Sequence, residues 1–282
     1  AEDLAGNSTS VEVTFELAIE NSGGGELAFN YALCAFETLT MRGSGRTVAA
    51  SGAYAHVAAH GDVTLHDAAY VAGDTVAGGA LTVRQGAQVA GDAFAFGTIS
   101  VNNGGYIAGN RQHVEPSPQP CECGFDLDAA FEDAALENDN AFFASSPNVA
   151  QYFRNGGVTV DGGGTLVLPA GRYYLASLTV EQGARLEVAE GAEVSLYVEG
   201  GVLFRHGARV NSPPKPGTSL TIVSASLAAN GVQLIDGTAA SALFYAPGAG
   251  VTVSNGSTLN GAATGRVVVV EQCAAVTFSE VT

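Results

Sequence analysis

Residues 63–110 read VTLHDAAYVAGDTVAGGA, LTVRQGAQVAGDAFAFGT and ISVNNGGYIAGN when the stretch is broken at every 18th residue. Each copy begins with an apolar, a polar and an apolar residue, continues through a polar turn, and closes with an apolar pair followed by Gly-Asp or Gly-Asn. Self-similarity at a short fixed period is typical of a solenoid, in which every repeat is one coil stacked on the next. The stretch therefore predicts a parallel β-solenoid.

The period also predicts which residues form the core. Short strands lie directly above their copies in the next coil, so that like residues form columns with a spacing of about 4.8 Å. His66, Arg84 and Asn102 share an outward column. The residues expected to form inward apolar ladders are Val63, Leu65, Val71, Leu81, Val83, Val89, Ile99, Val101 and Ile107.

Composition favours the same fold class and excludes several others. The chain has 37 glycines, no tryptophan and only 14% charged residues, whereas a helical bundle carries more leucine, lysine and glutamate. The net charge of −17 disfavours nucleic acid as a partner, because phosphate contacts need a basic patch. No apolar run is long enough to span a membrane. The first residue, alanine, suits an exported chain whose signal peptide has been removed, so we expect a secreted or cell-surface location.

Four cysteines, Cys34, Cys121, Cys123 and Cys273, suggest two disulfides in such a chain. A bridge between Cys121 and Cys123 is sterically poor. Each of these two is therefore expected to reach a distant partner, Cys34 or Cys273, within the chain or across a subunit boundary. A zinc site is not expected, since the Cys-x-Cys spacing is one residue short and the histidines are elsewhere. We expect no cofactor.

The pattern divides the chain into four parts. These are an amino-terminal hairpin or connecting element at 1–44, a first solenoid segment at 45–110, a linker and helical insert at 111–156, and a second solenoid segment at 157–282. Pro116, Pro118 and Pro120 remove ladder donors, so the chain must leave the stack there. A helix is expected from about Leu127 to Phe143, with Asp126 or Asp128 as the N-cap. The acidic residues of the insert do not follow an EF-hand order, and we interpret them as a solvated helix face.

The amino-terminal element is expected to be a β-hairpin, because two runs of alternating apolar and polar residues flank a glycine-rich turn. It either caps the solenoid of its own chain or adds a strand to a neighbouring subunit, since open solenoid ends expose unpaired strand edges. The apolar residues of the two arms are Val11, Val13, Phe15, Leu17, Ile19, Leu27, Phe29, Tyr31 and Leu33.

The second solenoid segment uses the same repeat as the first. Residues 178–184 (LTVEQGA) closely match residues 81–87 (LTVRQGA), although the later period is looser. Residues 243–249 (LFYAPGA), followed by 251–253 (VTV) and 260–262 (NGA), resemble the end of secreted β-solenoid domains of bacterial, notably myxobacterial, cell-surface proteins. The inserts at 121–141 and 171–175 are also similar to that family, whereas residues 278–280 (FSE) replace its usual His-Tyr-Asp. That family has no assigned enzymatic activity, so the resemblance carries none over to this chain. By analogy, the similarity of the family to polymer-forming bactofilin solenoids implies a scaffolding role.

The function expected from these features is a structural subunit of an extracellular filament that assembles head to tail by pairing strand edges. The alternative is a monomeric surface adhesin or a glycan-binding solenoid. A polysaccharide-active enzyme is a third possibility, but only His56, His60 and His66 cluster with acids, Asp62 and Asp67, and these are interpreted as surface residues. Ice or carbohydrate binding is a further class, since flat solenoid faces can present regular Thr-x-Thr arrays, but the sequence contains no sustained array of this kind.

Overall fold

The computed structural model describes residues 29–50, 54–121 and 124–278. As the period predicts, these residues form a parallel β-solenoid. The amino-terminal strands are β1 (Leu33–Met41), β2 (Arg46–Ala49), β3 (Val57–Ala59), β4 (Val63–Leu65), β5 (Tyr70–Val71), β6 (Thr75–Ala77), β7 (Leu81–Val83), β8 (Gln88–Val89), β9 (Ala93–Ala95), β10 (Ile99–Val101), β11 (Tyr106–Ile107) and β12 (Arg111–His113).

An insert with helices separates these strands from the rest. It contains α1 (Leu127–Leu136), a 3-10 helix (Asn140–Ala144) and α2 (Pro147–Ala150). The carboxyl-terminal strands are β13 (Phe153–Arg154), β14 (Gly157–Val160), β15 (Thr165–Leu168), β16 (Gly171–Leu175), β17 (Leu178–Val180), β18 (Arg185–Val188), β19 (Glu193–Val198), β20 (Val202–Phe204), β21 (Arg209–Val210), β22 (Ser219–Ser224), β23 (Val232–Leu234), β24 (Ala239–Val253), β25 (Thr258–Val270) and β26 (Ala275–Phe278).

Each coil contributes strands to three faces of the solenoid. We name them the covered face (β3, β6, β9 and β12, continued by β16, β19 and β22), the ladder face (β4, β7 and β10, continued by β14, β17, β20 and β23) and the third face (β2, β5, β8 and β11, continued by β15, β18, β21 and β26). The long strands β1, β24 and β25 each run along more than one face.

The coils do not stack in the order of the sequence. β1 pairs in parallel with β25 on one side and with β3 and β4 on the other. β2 likewise pairs with β26 and with β5. The first coil therefore lies between the last coil and the second, and it joins the two solenoid segments into one continuous sheet.

This stacking places the end of the predicted amino-terminal element, residues 33–44, inside the solenoid and not in a separate hairpin. Leu33 begins a strand in the interior of the solenoid and is fully buried between Ala263 and Val57. Phe29 is buried as well, and Tyr31 packs beside the Cys34 side chain. An alternating sequence also suits a solenoid strand, because successive side chains point alternately into the core and outward. Val11, Val13, Phe15, Leu17, Ile19 and Leu27 lie outside the described residues.

The core consists of the inward columns predicted from the period. Leu65, Leu81, Val83 and Val89 are fully buried, whereas Ile99 and Val101 are only partly buried. Glycine is required where neighbouring coils approach closely at a corner. A Cβ built on Gly61 would lie 2.2 Å from the carbonyl oxygen of Glu37 in the adjacent coil.

The insert crosses the covered face. We call residues 114–121 and 124–137 the strap, because this segment leaves β12 and returns along the solenoid toward β16. Phe131 packs edge-on against Tyr174 and Tyr197, and Phe125 packs in the same way against Tyr245. The strap thus buries the aromatic outward residues of this face.

The helix of the strap begins where the sequence predicts and ends earlier. The Asp126 carboxylate accepts a hydrogen bond from the amide of Ala129, which confirms Asp126 as the N-cap. The helix was predicted to reach Phe143 but ends at Leu136. The Asn138 side-chain amide donates to the carbonyl oxygens of Ala134 and Ala135, and this local competition for the last carbonyls ends the helix.

Candidate surface-binding face

One column of outward residues runs along the ladder face through all of its coils. Consecutive members are direct cross-strand neighbours in parallel register. In spatial order the ten residues are Thr159, Thr179, Leu203, Gln233, Thr252, Val269, Thr40, Thr64, Thr82 and Ser100. We call this column the ladder.

The ladder is uncharged and mostly hydroxylated. Six of its ten members are threonine and one is serine, and the others are leucine, glutamine and valine. None of the ten is buried. The chain has a net charge of −17, so a column of ten uncharged residues distinguishes the ladder from the rest of the surface.

The hydroxyl groups of the ladder are available to a ligand. Within the described residues, none of the six threonine hydroxyls makes a hydrogen bond to another residue, and Ser100 Oγ accepts one from Asn102. Threonine is β-branched and therefore stiff at χ1, so its methyl and hydroxyl groups hold nearly fixed positions. The residues on either side, such as Val63 and Leu65 around Thr64, are fully buried and anchor the strand.

The edges of the ladder face differ from each other. One edge carries charged residues that follow the strands, and these form ion pairs between neighbouring coils, Arg205 with Glu181 and Arg42 with Glu271. The other edge carries several small residues, including Gly157, Gly201, Gly231 and Gly250, but also Asp62 and the ion pair of Arg266 with Glu37. The ladder is therefore bordered by charge along the whole of one edge and by small residues along part of the other.

Reasoning from the sequence missed the ladder. A Thr-x-Thr pattern lies along a single strand, whereas the ladder is formed by one residue from each coil. Its members are 17 to 30 positions apart, and Thr40 follows Val269 in space although it precedes it in sequence. The repeated LTV and VTV tripeptides were the available signal, since they place a threonine between two inward residues.

The structure brings together one of the expected cysteine pairs. Cys34 and Cys121 form a disulfide across 87 positions, which fastens the strap to the first coil of the solenoid. Cys273 is an exposed free thiol, so it forms no disulfide within the described chain, and its pairing across a subunit boundary stays a prediction. It lies in a surface turn next to Gln272, and Cys123 lies outside the described residues.

The cluster of histidines near Asp62 serves the backbone. His56 Nδ1 accepts from the Asp74 amide, and His60 Nε2 accepts from the Cys121 amide. Asp62 accepts from the Ala80 amide in the next coil. Each group therefore joins adjacent segments of the solenoid. Among the described residues, no three His, Cys, Asp or Glu side chains are placed to hold a metal ion.

The third face presents different chemistry from the ladder. Arg185 and Arg209 are direct neighbours there, and Arg46 pairs with the exposed Tyr70. Gln88 and the exposed Tyr106 continue that column. Because this face is charged and irregular, it offers a surface on which control substitutions can be placed.

Within the described part of the chain, no helix is long and apolar enough to cross a membrane.

Fold and ladder together describe a β-solenoid with one flat, uncharged, repetitive face. A family model, "Domain of unknown function (DUF7305)", matches residues 126–281. That match covers more than half of the sequence, and the chain belongs to the DUF7305 family. No curated protein matches the sequence.

Three solved structures show similarity at 15% sequence identity. The DUF3494 domain of Shewanella frigidimarina ice-binding protein 1 aligns with a TM-score of 0.35 over 88% of this chain and 94% of that one. An ice-binding protein from an Antarctic biological consortium aligns with a TM-score of 0.32 over 96% of both chains. The ice-binding protein of the Antarctic ascomycete Antarctomyces psychrotrophicus aligns with a TM-score of 0.24 over 88% of this chain and 93% of that one.

Proposed function

We propose that this protein is an extracellular solenoid that adsorbs to an extended, regularly repeating surface through its ladder face. The observation that supports this is the ladder itself, with ten uncharged outward residues in one uninterrupted column. The repeat between neighbouring coils of a parallel sheet is about 4.8 Å. A rigid array of that kind matches a periodic surface better than it matches a single small molecule, which is usually enclosed in a concave pocket.

Ice is the first regular surface that we propose as the ligand of the ladder face. Methyl and hydroxyl groups in alternation can order a layer of water without the strong local hydration of charged groups, and the ladder contains no charged side chain. A crystalline polysaccharide is the other regular surface that such a face could contact. The disulfide between Cys34 and Cys121 supports an extracellular location, because disulfides persist in oxidising compartments.

The test compares substitutions of ladder residues with a matched substitution on another face. Thr64→Tyr and Thr82→Tyr place a bulky ring in the middle of the ladder, and Gln88→Tyr adds the same ring to the exposed third face of the same coil as Thr82. We expect the unmodified protein and Gln88→Tyr to inhibit ice recrystallisation and to produce thermal hysteresis. The two ladder variants should lose most of that activity while their melting temperatures remain unchanged.

Sedimentation with crystalline cellulose or chitin runs in parallel on the same variants. Binding to one of these solids that is lost only in the ladder variants would support the surface-binding function and replace ice as its ligand. Absence of binding to ice and to both polysaccharides, or equal binding by all variants, would contradict the proposal.

A second proposal is the head-to-tail filament predicted from the sequence. The observation that favours it is an open solenoid end, at which β10, β11 and β12 pair on one side only within the described residues. At the opposite end Asp139 and Asn140 bind the edge of β16, whereas β15 pairs only with β18 within the described residues, so a head-to-tail contact would join the open end to β15. Electron microscopy at high protein concentration tests this proposal. Long fibres would support it, and isolated particles would contradict it.

A further inference from the structure

The open end of the solenoid lacks the next coil. β10, β11 and β12 pair with β7, β8 and β9 respectively, and no described strand lies on their other side. The amides of Val63 and Leu81 donate to the carbonyl oxygens of Ala80 and Thr98 in the following coil. Ile99 occupies the equivalent place in the last coil, where the described chain supplies no further coil to accept its hydrogen bond.

The core is exposed at the same end. Leu81 and Val83 are fully buried, whereas Ile99 and Val101, which stack directly on them, are partly exposed. An exposed edge with apolar side chains behind it is a site for uncontrolled strand pairing, which natural proteins usually cover. The end therefore needs a partner that supplies both backbone hydrogen bonds and apolar side chains.

The chain closes its other end with its own residues. The Asp139 amide donates to the Arg172 carbonyl oxygen, and the Asp139 carboxylate accepts from the Arg172 amide. Asn140 makes the equivalent pair of bonds with the backbone of Tyr174. Phe143 stacks on Phe153 at a centroid separation of 4.5 Å and packs against Tyr173, so the core is sealed there.

We propose that residues 11–19 of the same chain cover the open end as an added strand. In this segment Val11, Val13, Phe15, Leu17 and Ile19 alternate with polar or small residues. A strand with this pattern presents one apolar side to the core and one polar side to water. Such a strand would supply the backbone hydrogen-bonding groups and the apolar side chains that the open end lacks. This inference goes beyond adsorption through the ladder and does not depend on it. It is the alternative to the filament, which needs the same end to be free.

The distance allows the segment to reach the end within its own chain. The first coil stands three coils before the open one, through Thr40, Thr64, Thr82 and Ser100. The position of the covering strand is therefore four steps away, or about 19 Å. Residues 20–28 separate the segment from the described chain, and nine extended residues span about 30 Å.

Charge at the open end also favours an acidic segment. Arg111 and His113 occupy core-facing columns of β12, above Ala93 and Ala95, and both side chains are exposed. No ion pair of Arg111 is found among the described residues, while His113 pairs with Glu115. A core-facing charge on an edge strand discourages unrestricted strand addition. Glu12 and Glu16 make the segment acidic, so it carries the opposite charge to Arg111.

Hydrogen exchange measured by NMR on the full chain and on a variant lacking residues 1–28 tests the proposal. The Ile99 and Val101 amides should be protected in the full chain and should exchange at least tenfold faster in the deletion variant. Amides of Val202–Phe204, far along the solenoid, serve as the internal reference. Equal exchange of Ile99 and Val101 in both proteins would overturn the proposal.

Point variants keep the test valid if the deletion variant does not fold. Phe15→Asp and Leu17→Asp place a charge on the apolar side, and Thr14→Asp places the same charge on the polar side. We expect only the first two to increase exchange at Ile99. Light scattering then distinguishes an end covered by its own chain from an end covered by a second copy of the chain. A monomeric mass with concentration-independent protection supports the proposal, whereas protection that is lost on dilution, together with a multiple of the monomer mass, overturns it in favour of assembly.

Discussion

Arg42 and Glu271 form an ion pair although 229 positions separate them in the sequence. Arg42 follows β1 and Glu271 follows β25, and these two strands pair in parallel from Leu33 beside Ala263 to Met41 beside Val270. The Arg42 side chain is half exposed, so the ion pair itself contributes at most about 1 kcal/mol. Strand hydrogen bonds and stacked apolar side chains therefore hold the first coil against the last.

The disulfide should stabilise the whole fold, because it closes a loop of 87 positions and holds the strap in place. We expect Cys121→Ser to lower the free energy of unfolding by about 2–4 kcal/mol, measured by guanidinium denaturation. Cys273→Ser is the matched control, since that thiol is exposed and free. An equal loss in the two variants would show that the bridge has no special role.

Packing of the strap should depend on Phe131. Its ring contacts Tyr174 and Tyr197 on the covered face, so Phe131→Ala should destabilise the protein by about 3 kcal/mol. Leu136→Ala in the same helix is the control, because that side chain is 85% exposed and its loss should change stability by less than about 0.5 kcal/mol. Thermal unfolding of both variants distinguishes a packed strap from a loosely attached one.

Corner glycines should be required where the neighbouring backbone is close. Gly61→Ala would place a methyl group 2.2 Å from the Glu37 carbonyl oxygen, and we expect a loss of about 2 kcal/mol or more. At Gly201 the nearest atom to an added Cβ is the Gly231 carbonyl oxygen at 3.7 Å, and Gly201→Ala should be close to neutral. Urea denaturation of the pair measures the difference. Similar stabilities would contradict the stacking of coils at Gly61.

The stability should fall in mild acid because of His56. Burial lowers the pKa of His56, and the nearby Asp74 carboxylate only partly opposes that effect. The unfolded chain, with an ordinary histidine pKa of about 6.5, then takes up a proton before the folded chain does. Stability contributed by neutral His56 is present above that pKa and is lost as the pH falls below it.

Denaturation midpoints between about pH 7.5 and pH 5 measure this dependence. His56→Gln should flatten the slope, whereas His113→Gln, at a highly exposed position, should leave the slope as it is in the unmodified protein. An unchanged slope in His56→Gln would assign the acid sensitivity to another group.

Local features of the fold could be predicted from the sequence because they depend on short-range chemistry. The 18-residue copies and the buried Leu81 and Val83 follow from periodicity, and the cap by Asp126 follows from side-chain hydrogen bonding to a helix end. Leu33 was assigned to a hairpin because its partner strands, β25 and β3, are not adjacent to it in sequence. Alternation alone cannot tell a hairpin strand from a buried parallel strand.

By itself, the sequence determined that the chain forms stacked coils and which residues in each coil face inward. Both follow from the 18-residue repeat, which can be read without knowledge of any long-range contact. Only the tertiary structure decided the order of the coils. That order places Thr40 between Val269 and Thr64 and so makes one continuous ladder from two separate segments. The physical reason is that parallel strands pair through space by register and hydrogen bonding, which does not require them to be neighbours along the chain.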